Sequence, residues 1–326
     1  MNHVDRPRVA LIFPNPSTFV LQDARLLVKH FDVRLVHYRH RRDLAKLSLA
    51  VARTDVSVSW FALGDARAAV ALARRLRRKS IVIAAGYDVA KVPEVGYGVL
   101  RSPAGVRRAK KILGGADLVL AVSESTRKQV RSVVDRDVKV VYNAVDTNRF
   151  KPSGQKRRQV LTVAGVDCLE HFKVKRLDVV LDVARELRGV QFYLAGRNSA
   201  EWKERLVASS PENLSVLGER DDRGLLRLFR QSKVYLQPSA HESFGVSLAE
   251  AMACECVPVV SDRYALPEVV GDAGFIVSYG DDVATAKATE RALDSELGRA
   301  ARRRIVERFP LERREKALVH AIESLL

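Results

Sequence analysis

Two carboxylates with seven residues between them, Glu242 and Glu250, sit in the segment Gln237 to Ala253. Upstream, Ser232 to Gln237 reads as a short buried strand that ends in a proline turn. Downstream, Leu248 to Ala253 is strongly helical by propensity. A strand, a turn and a helix start make an anion site, because the first helical amides lack intrahelical partners and the dipole is positive there. Gly245 has no side chain to keep a phosphate away from the backbone. Glu250 falls about one turn inside the helix, where a carboxylate accepts hydrogen bonds from sugar hydroxyls, and Glu242 precedes the helix and faces the same crevice. A nucleotide-sugar fits this layout. Taken alone, the same spacing also describes a capping glutamate and a solvated one on an ordinary helix.

The elements that must position these groups follow from the whole chain. At 326 residues it is too long for one ordinary core and suits two domains. No apolar run approaches the ~18 residues of a spanning helix, and the start, Met1 to Pro7, has no signal-peptide shape. Cys168, Cys254 and Cys256 make neither a disulfide framework nor a four-ligand zinc site, and the expectation is a cytoplasmic protein. Lys and Arg number 56 against 39 Asp and Glu, a net charge of +17 that suggests a polyanionic partner. The basic residues cluster at Arg74 to Lys79, Arg107 to Lys111 and Arg302 to Arg304, each on or beside a helical stretch, and each alone reads as a solvated helix face.

Strand and helix patterns alternate along the first half. Strands are expected at Val9 to Phe13, Val33 to His37, Val56 to Trp60, Ser80 to Ala84, Leu118 to Val122 and Val138 to Tyr142. Helices are expected from Leu21 to Phe31, from about Asp65 to Arg78, from Arg107 to Leu113 and after Ser123, which caps the last of them. Lys151 to Lys156 is polar and turn-rich and reads as a linker, after which the alternation restarts. Strands separated by helices imply parallel, doubly wound sheets, so the expected fold is α/β, with two Rossmann-like domains facing a central cleft. A basic helical stretch from Ala300 to Leu326, interrupted at Phe309-Pro310, ends the chain.

The Glu242 to Glu250 segment, with Phe244-Gly245 inside it, resembles the E-x7-E signature of the retaining glycosyltransferases of family 4, whose fold is GT-B. Asn143-Ala144-Val145-Asp146 with Phe150 and Pro152, Ala116 to Glu124, and Pro267 to Gly274 match further family segments in the same order. The resemblance implies residues 1–151 as an acceptor-side domain, 152–305 as a nucleotide-sugar domain, and 306–326 as a helix crossing back to the first. It implies transfer of a hexose from a nucleoside diphosphate sugar to a hydroxyl acceptor, with Glu250 on the donor ribose and Glu242 on the transferred sugar. Lys175 fills the family's diphosphate-binding lysine position. Val166 stands where an arginine is usual, leaving Lys173 or Arg176 to supply the second cation. Backbone amides around Phe244, Gly245 and Val246 hold the diphosphate, and the base lies near Leu217 to Arg220.

Three departures from the family pattern stand out. Ala85 replaces a histidine near the donor sugar, so Asp88 either takes a polar, catalytic part in the cleft or serves as a turn aspartate. Pro14 to Thr18 replaces a glycine-rich loop. Glu255 stands where a glycine ends the E-x7-E helix, costing on the order of 1 kcal/mol if that position is left-handed. Asp135-Arg136-Asp137 mimics a metal-binding motif of another fold but precedes its strand and reads as a surface turn. His241 is the one histidine near the presumed site, where lining the cleft is a minority reading. No metal and no resident cofactor is expected; the nucleotide-sugar is a co-substrate. The basic surface suits peripheral docking on an anionic membrane at the cytoplasmic face, with a lipid-linked acceptor. Two rivals are a nucleotide-binding scaffold without turnover and a basic nucleic-acid-binding protein. The second lacks any aromatic-basic interleaving, so nucleic acid is not an expected partner.

Overall fold

The computed structural model describes residues 6–326; Met1 to Asp5, the start of the segment read as lacking a signal peptide, lie outside the described residues. The chain divides into two compact units. One comprises residues up to Pro93 with Tyr97–Asn143 and Glu312–Leu326, and the other Glu94–Gly96 with Ala144–Leu311.

The first unit holds a six-stranded parallel sheet of β1 (Arg8–Phe13), β2 (Asp32–His37), β3 (Val56–Trp60), β4 (Lys79–Ala84), β5 (Leu118–Ala121) and β6 (Lys139–Val140), in the order β2-β1-β3-β4-β5-β6. Its inner strands are buried on both faces: β4 reads as the apolar run expected of such a strand, whereas in β3 Ser57 and Ser59 are as buried as the apolar residues they alternate with. β6 is shorter than the expected Val138 to Tyr142. The Val141 and Tyr142 carbonyls accept instead from the Arg314 guanidinium, at 3.0 and 2.7 Å. Arg314 lies on the helix Leu311–Glu323 and also donates to both oxygens of the buried Asp23, at 2.6 and 2.7 Å, so the last helix is fastened into this unit by a desolvated bidentate pair.

The second unit holds β7 (Arg157–Val163), β8 (Gln191–Ala195), β9 (Leu214–Gly218), β10 (Ser232–Gln237), β11 (Val257–Ser261) and β12 (Phe275–Val277), all parallel, in the order β12-β11-β10-β7-β8-β9. This is the doubly wound arrangement in which the chain reverses direction between two central strands, here β7 and β10. Ligands bind such sheets outside the carboxyl ends of the strands at the switch point. Val160, Phe192, Leu194, Val234, Leu236 and Val259 form the core beneath it.

Several elements differ from expectation. Lys173 to Asp178 spans the junction of two helices: Leu169–Lys175 forms a short helix, Arg176 turns left-handed at φ 49°, and Leu177–Glu186 continues. Leu44–Ala52, Ala200–Ser209 and Asp282–Leu293 are additional helices, the second capped by Ser199 and the third by Asp281. Glu255 is left-handed, at φ 66°, and therefore carries the strain foreseen for a residue in a glycine's place. Among the described residues no helix is long and apolar enough to cross a membrane.

Candidate functional site

The segments after β7 and β10 meet at the switch point. β10 ends at Gln237, and the chain turns through Pro238 and Ser239 before the Ala240 amide donates to the Val174 carbonyl at 2.8 Å. That single backbone bond ties the turn after β10 to the helix after β7. It sets Lys175 beside Glu242, and their side chains form an ion pair with 28 and 12 % of the side chains exposed. The same Glu242 oxygen accepts from Gln237 Nε2 at 2.6 Å and lies 3.4 Å from Ser239 Oγ. Ser261 at the end of β11 in turn holds the Ser239 carbonyl at 2.6 Å. Glu242 is thus oriented by a cation at the end of the helix after β7 and by an amide and a hydroxyl from the end of β10 and its turn.

Four residues after Glu242 the helix Val246–Ala253 begins. Gly245 precedes it in the left-handed region at φ 85°, and no side chain caps this end. A Cβ at Gly245 would find ordinary contact distances, 3.4 Å to Leu248, so the backbone conformation, not crowding, calls for glycine. Phe244 is buried and packs edge-on against Phe309, with ring centroids 5.2 Å apart. Its side chain anchors the turn, and Gly245 and Val246 are presented by their backbone.

Glu250 is the fifth residue of that helix and is partly buried. No donor hydrogen-bonds its carboxylate among the described residues. Burial pushes its carboxyl up to about 8, with Arg149 opposing the shift and Asp222 adding to it. Arg149 is itself paired with Asp222 at 2.7 Å. Both Glu242 and Glu250 act electrostatically on the buried Tyr235 of β10, so the two carboxylates flank one strand. His241 is buried against Tyr264, ring centroids 4.3 Å apart, and burial holds its imidazole down to about 4, a neutral ring. It is a packed residue beside the site.

The remaining expected site residues separate. Lys173 is exposed on its helix, with no ion pair among the described residues. Arg176 does not supply a free second cation. Its guanidinium is held by Asp178 at 3.0 Å, reaches Asp282 at 3.4 Å and stacks over Tyr279. Val166 is buried, with its amide bonded to Asn198 and Arg197. Arg220 is exposed beyond β9, the edge strand, two strands from the switch point. Asp88 corrects the catalytic reading. It is fully buried, and its two oxygens accept from the amides of Ala62, Ala85 and Gly86 at 2.8, 3.2 and 2.9 Å, so the carboxylate is spent on holding a turn. Arg136 of the Asp-x-Asp look-alike caps backbone carbonyls of Leu113, Ala116 and Asp117. Among the described residues no three His, Cys, Asp or Glu side chains are grouped to hold a metal ion. Sequence reasoning missed Gln237 and Arg149. A polar residue closing an otherwise apolar strand was the available signal for the first.

Comparison with known proteins bears on this geometry directly. Residues 158–295 match the family of glycosyl transferases group 1, and these residues include Lys175, Glu242, Gly245 and Glu250. Over these residues the chain is similar to the glycosyl transferases group 1 family. It is 28 % identical over 197 residues to the phosphatidyl-myo-inositol mannosyltransferase of Mycobacterium leprae, covering 58 % of this chain and 52 % of that protein. It is 30 % identical over 230 residues to N-acetyl-alpha-D-glucosaminyl L-malate synthase of Bacillus anthracis, covering 61 % and 57 %. These matches span little more than half the length of the curated relatives. Anabaena HepE, solved with UDP and glucose, superposes at a TM-score of 0.79 with 16 % identity, over 97 % of this chain and 99 % of that one. The fold is GT-B.

Proposed function

We propose that the protein is a retaining hexosyltransferase that moves a sugar from a nucleoside diphosphate donor to a hydroxyl acceptor. The observation that carries this reading is the meeting of Lys175, Glu242 and the glycine-led helix start at the β7/β10 switch point. In the reaction the bond from the anomeric carbon to the diphosphate oxygen breaks, and the diphosphate leaves with the electron pair. The acceptor oxygen bonds to the same face of that carbon, and its proton passes to the departing phosphate oxygen. Charge therefore builds on the diphosphate, where Lys175 and the amides of Gly245 and Val246 offset it without calling on a metal or a resident cofactor. Glu242, already fixed by Lys175, Gln237 and Ser239, orients the transferred sugar. Glu250 accepts from the ribose hydroxyls.

The second unit then binds the donor and the first takes the acceptor. The HepE complex supports a uridine diphosphate sugar, and the mannosyltransferase relative supports a lipid-linked acceptor reached by peripheral docking at the cytoplasmic membrane face. The charge of +17 suits an anionic surface. The direct test is transfer to a simple hydroxyl acceptor, with the product's anomeric configuration read by NMR. Product with the donor's own configuration is expected. An inverted product, or nucleotide binding with neither hydrolysis nor transfer to any acceptor tried, would overturn the reading.

A further inference from the structure

The two basic clusters of the first unit, 29 residues apart from Arg78 to Arg107 in the sequence, converge in space. The helices Gly64–Arg75 and Pro103–Gly115 pack side by side, and between them lies a hollow of about 750 Å³. Arg67 and Arg74, two turns apart on the first helix, and Arg108 and Lys111, one turn apart on the second, line it together with Arg39 from the segment after β2. No Asp or Glu is among the lining residues. Val70 and Ile112, both buried, contribute an apolar floor.

Elsewhere in this unit cations find carboxylates: Arg78 pairs with Asp55 at 3.4 Å and Lys29 with Glu315 at 3.0 Å. In the third basic cluster Arg302 bonds the Ala253 carbonyl at 2.6 Å and Arg304 that of Val269 at 2.8 Å. Arg67, Arg74, Arg108 and Lys111 have no such partner among the described residues. Arg108 and Lys111, three residues apart on one helix, repel, and with Arg67 and Arg74 facing the same concave space a bound anion offsets a repulsion the fold otherwise retains. Arginine matches phosphate oxygens with paired N–H donors.

We propose that this hollow is a binding site for a phosphate-bearing ligand, separate from the donor site and independent of it. The phosphate is gripped by Arg67, Arg74, Arg108 and Lys111, and the part of the ligand next to it rests on Val70 and Ile112. The phosphate comes either from a soluble phosphorylated compound or from a phospholipid headgroup.

Titration of the full chain with inorganic pyrophosphate tests the site, using the wild type, the double variant Arg67→Gln/Arg108→Gln, and Lys175→Ala. The altered arginines are exposed, so unchanged thermal unfolding of the double variant in salt is the control for folding. The double variant is expected to bind pyrophosphate at least about tenfold more weakly, to keep its affinity for UDP, and Lys175→Ala is expected to retain the component the double variant loses. Vesicles of phosphatidylcholine with phosphatidic acid, against phosphatidylcholine alone, separate the two sources. Capture of wild type but not of the double variant assigns a headgroup, and pyrophosphate binding without capture assigns a soluble ligand. Equal behaviour of wild type and double variant toward both probes would overturn the site. Variant-sensitive binding of an oligonucleotide with pyrophosphate ignored would also overturn it, in favour of a nucleic-acid surface.

Discussion

Lys175 and Glu242, 67 positions apart in the chain, are joined by an ion pair at the carboxyl ends of the two central strands of the second sheet. The backbone bond from Ala240 to Val174 ties the two segments together beside the pair. Donor binding must open or share this pair, since the diphosphate competes for the ammonium and the sugar for the carboxylate. Replacing Lys175 with Ala removes the cation and is expected to weaken donor affinity by about 10- to 100-fold, the worth of one charge-assisted contact. Glu242→Gln keeps the shape and loses the charge, and is expected to lower kcat by on the order of 100-fold with a smaller change in donor affinity. Calorimetric titration and steady-state rates separate the two effects.

Glu250 makes stability depend on pH. Its folded pKa of about 8 lies above the ordinary 4.5, so between these values the folded chain keeps a proton that the unfolded chain has released. Stability from this group is therefore full below about pH 4.5 and is lost as pH rises through about 8, by at most ~1.4 kcal/mol per pH unit. Glu250→Gln, which cannot ionise, is expected to flatten that decline when the unfolding midpoint is followed from pH 5 to about pH 9. An unchanged slope would mean that Glu250 is solvated. A donor whose ribose prefers the ionised carboxylate should, by the same linkage, bind more tightly as pH rises toward about 8.

Gly245 is held left-handed by the turn before the helix, not by lack of space. Gly245→Ala is expected to cost about 1 kcal/mol of stability from backbone strain alone. Its methyl group would also stand where the diphosphate approaches the helix start. A larger proportional loss in donor affinity than in stability, measured on the same preparation, is the outcome that ties this glycine to the ligand.

Arg314 and Asp23 test how the last helix is held in the first unit. Arg314→Leu strands a buried carboxylate and two backbone carbonyls, and is expected to destabilise by about 3–5 kcal/mol in denaturant unfolding. Adding Asp23→Leu removes the uncompensated charge and should recover part of that loss.

Much of the site was legible because it is local. Glu242, Gly245 and Glu250 lie within nine residues, and strand, turn and helix propensities place them without tertiary knowledge. Lys175 was found only by its resemblance to a family position, since a short helix of mixed polar and apolar residues, ended by a left-handed arginine, leaves little periodicity to read. Arg176 is engaged by Asp178, two positions on in the sequence, and by Asp282, 106 positions on, and the second of these partners has no local sequence signal. Asp88 looked available for chemistry because Ala62, the source of one of its amide donors, lies 26 positions upstream on another loop. Arg149 was overlooked for the same reason, since its partner Asp222 lies far along the chain, whereas Gln237 bonds Glu242 within the same turn and was overlooked because propensity does not show where a strand-end side chain points. The parallel sheets, by contrast, follow from the alternation of strands and helices, and both are found.

The most direct test of the donor site is thermal stabilisation by UDP, GDP, ADP and their glucose and mannose conjugates, compared between wild type and Glu250→Ala. A clear upward shift with one nucleotide, lost in the variant, is the predicted result and names the base. No shift with any of them, or the same shift in Glu250→Ala, would contradict the assignment of the β7/β10 switch point as a nucleotide-sugar site.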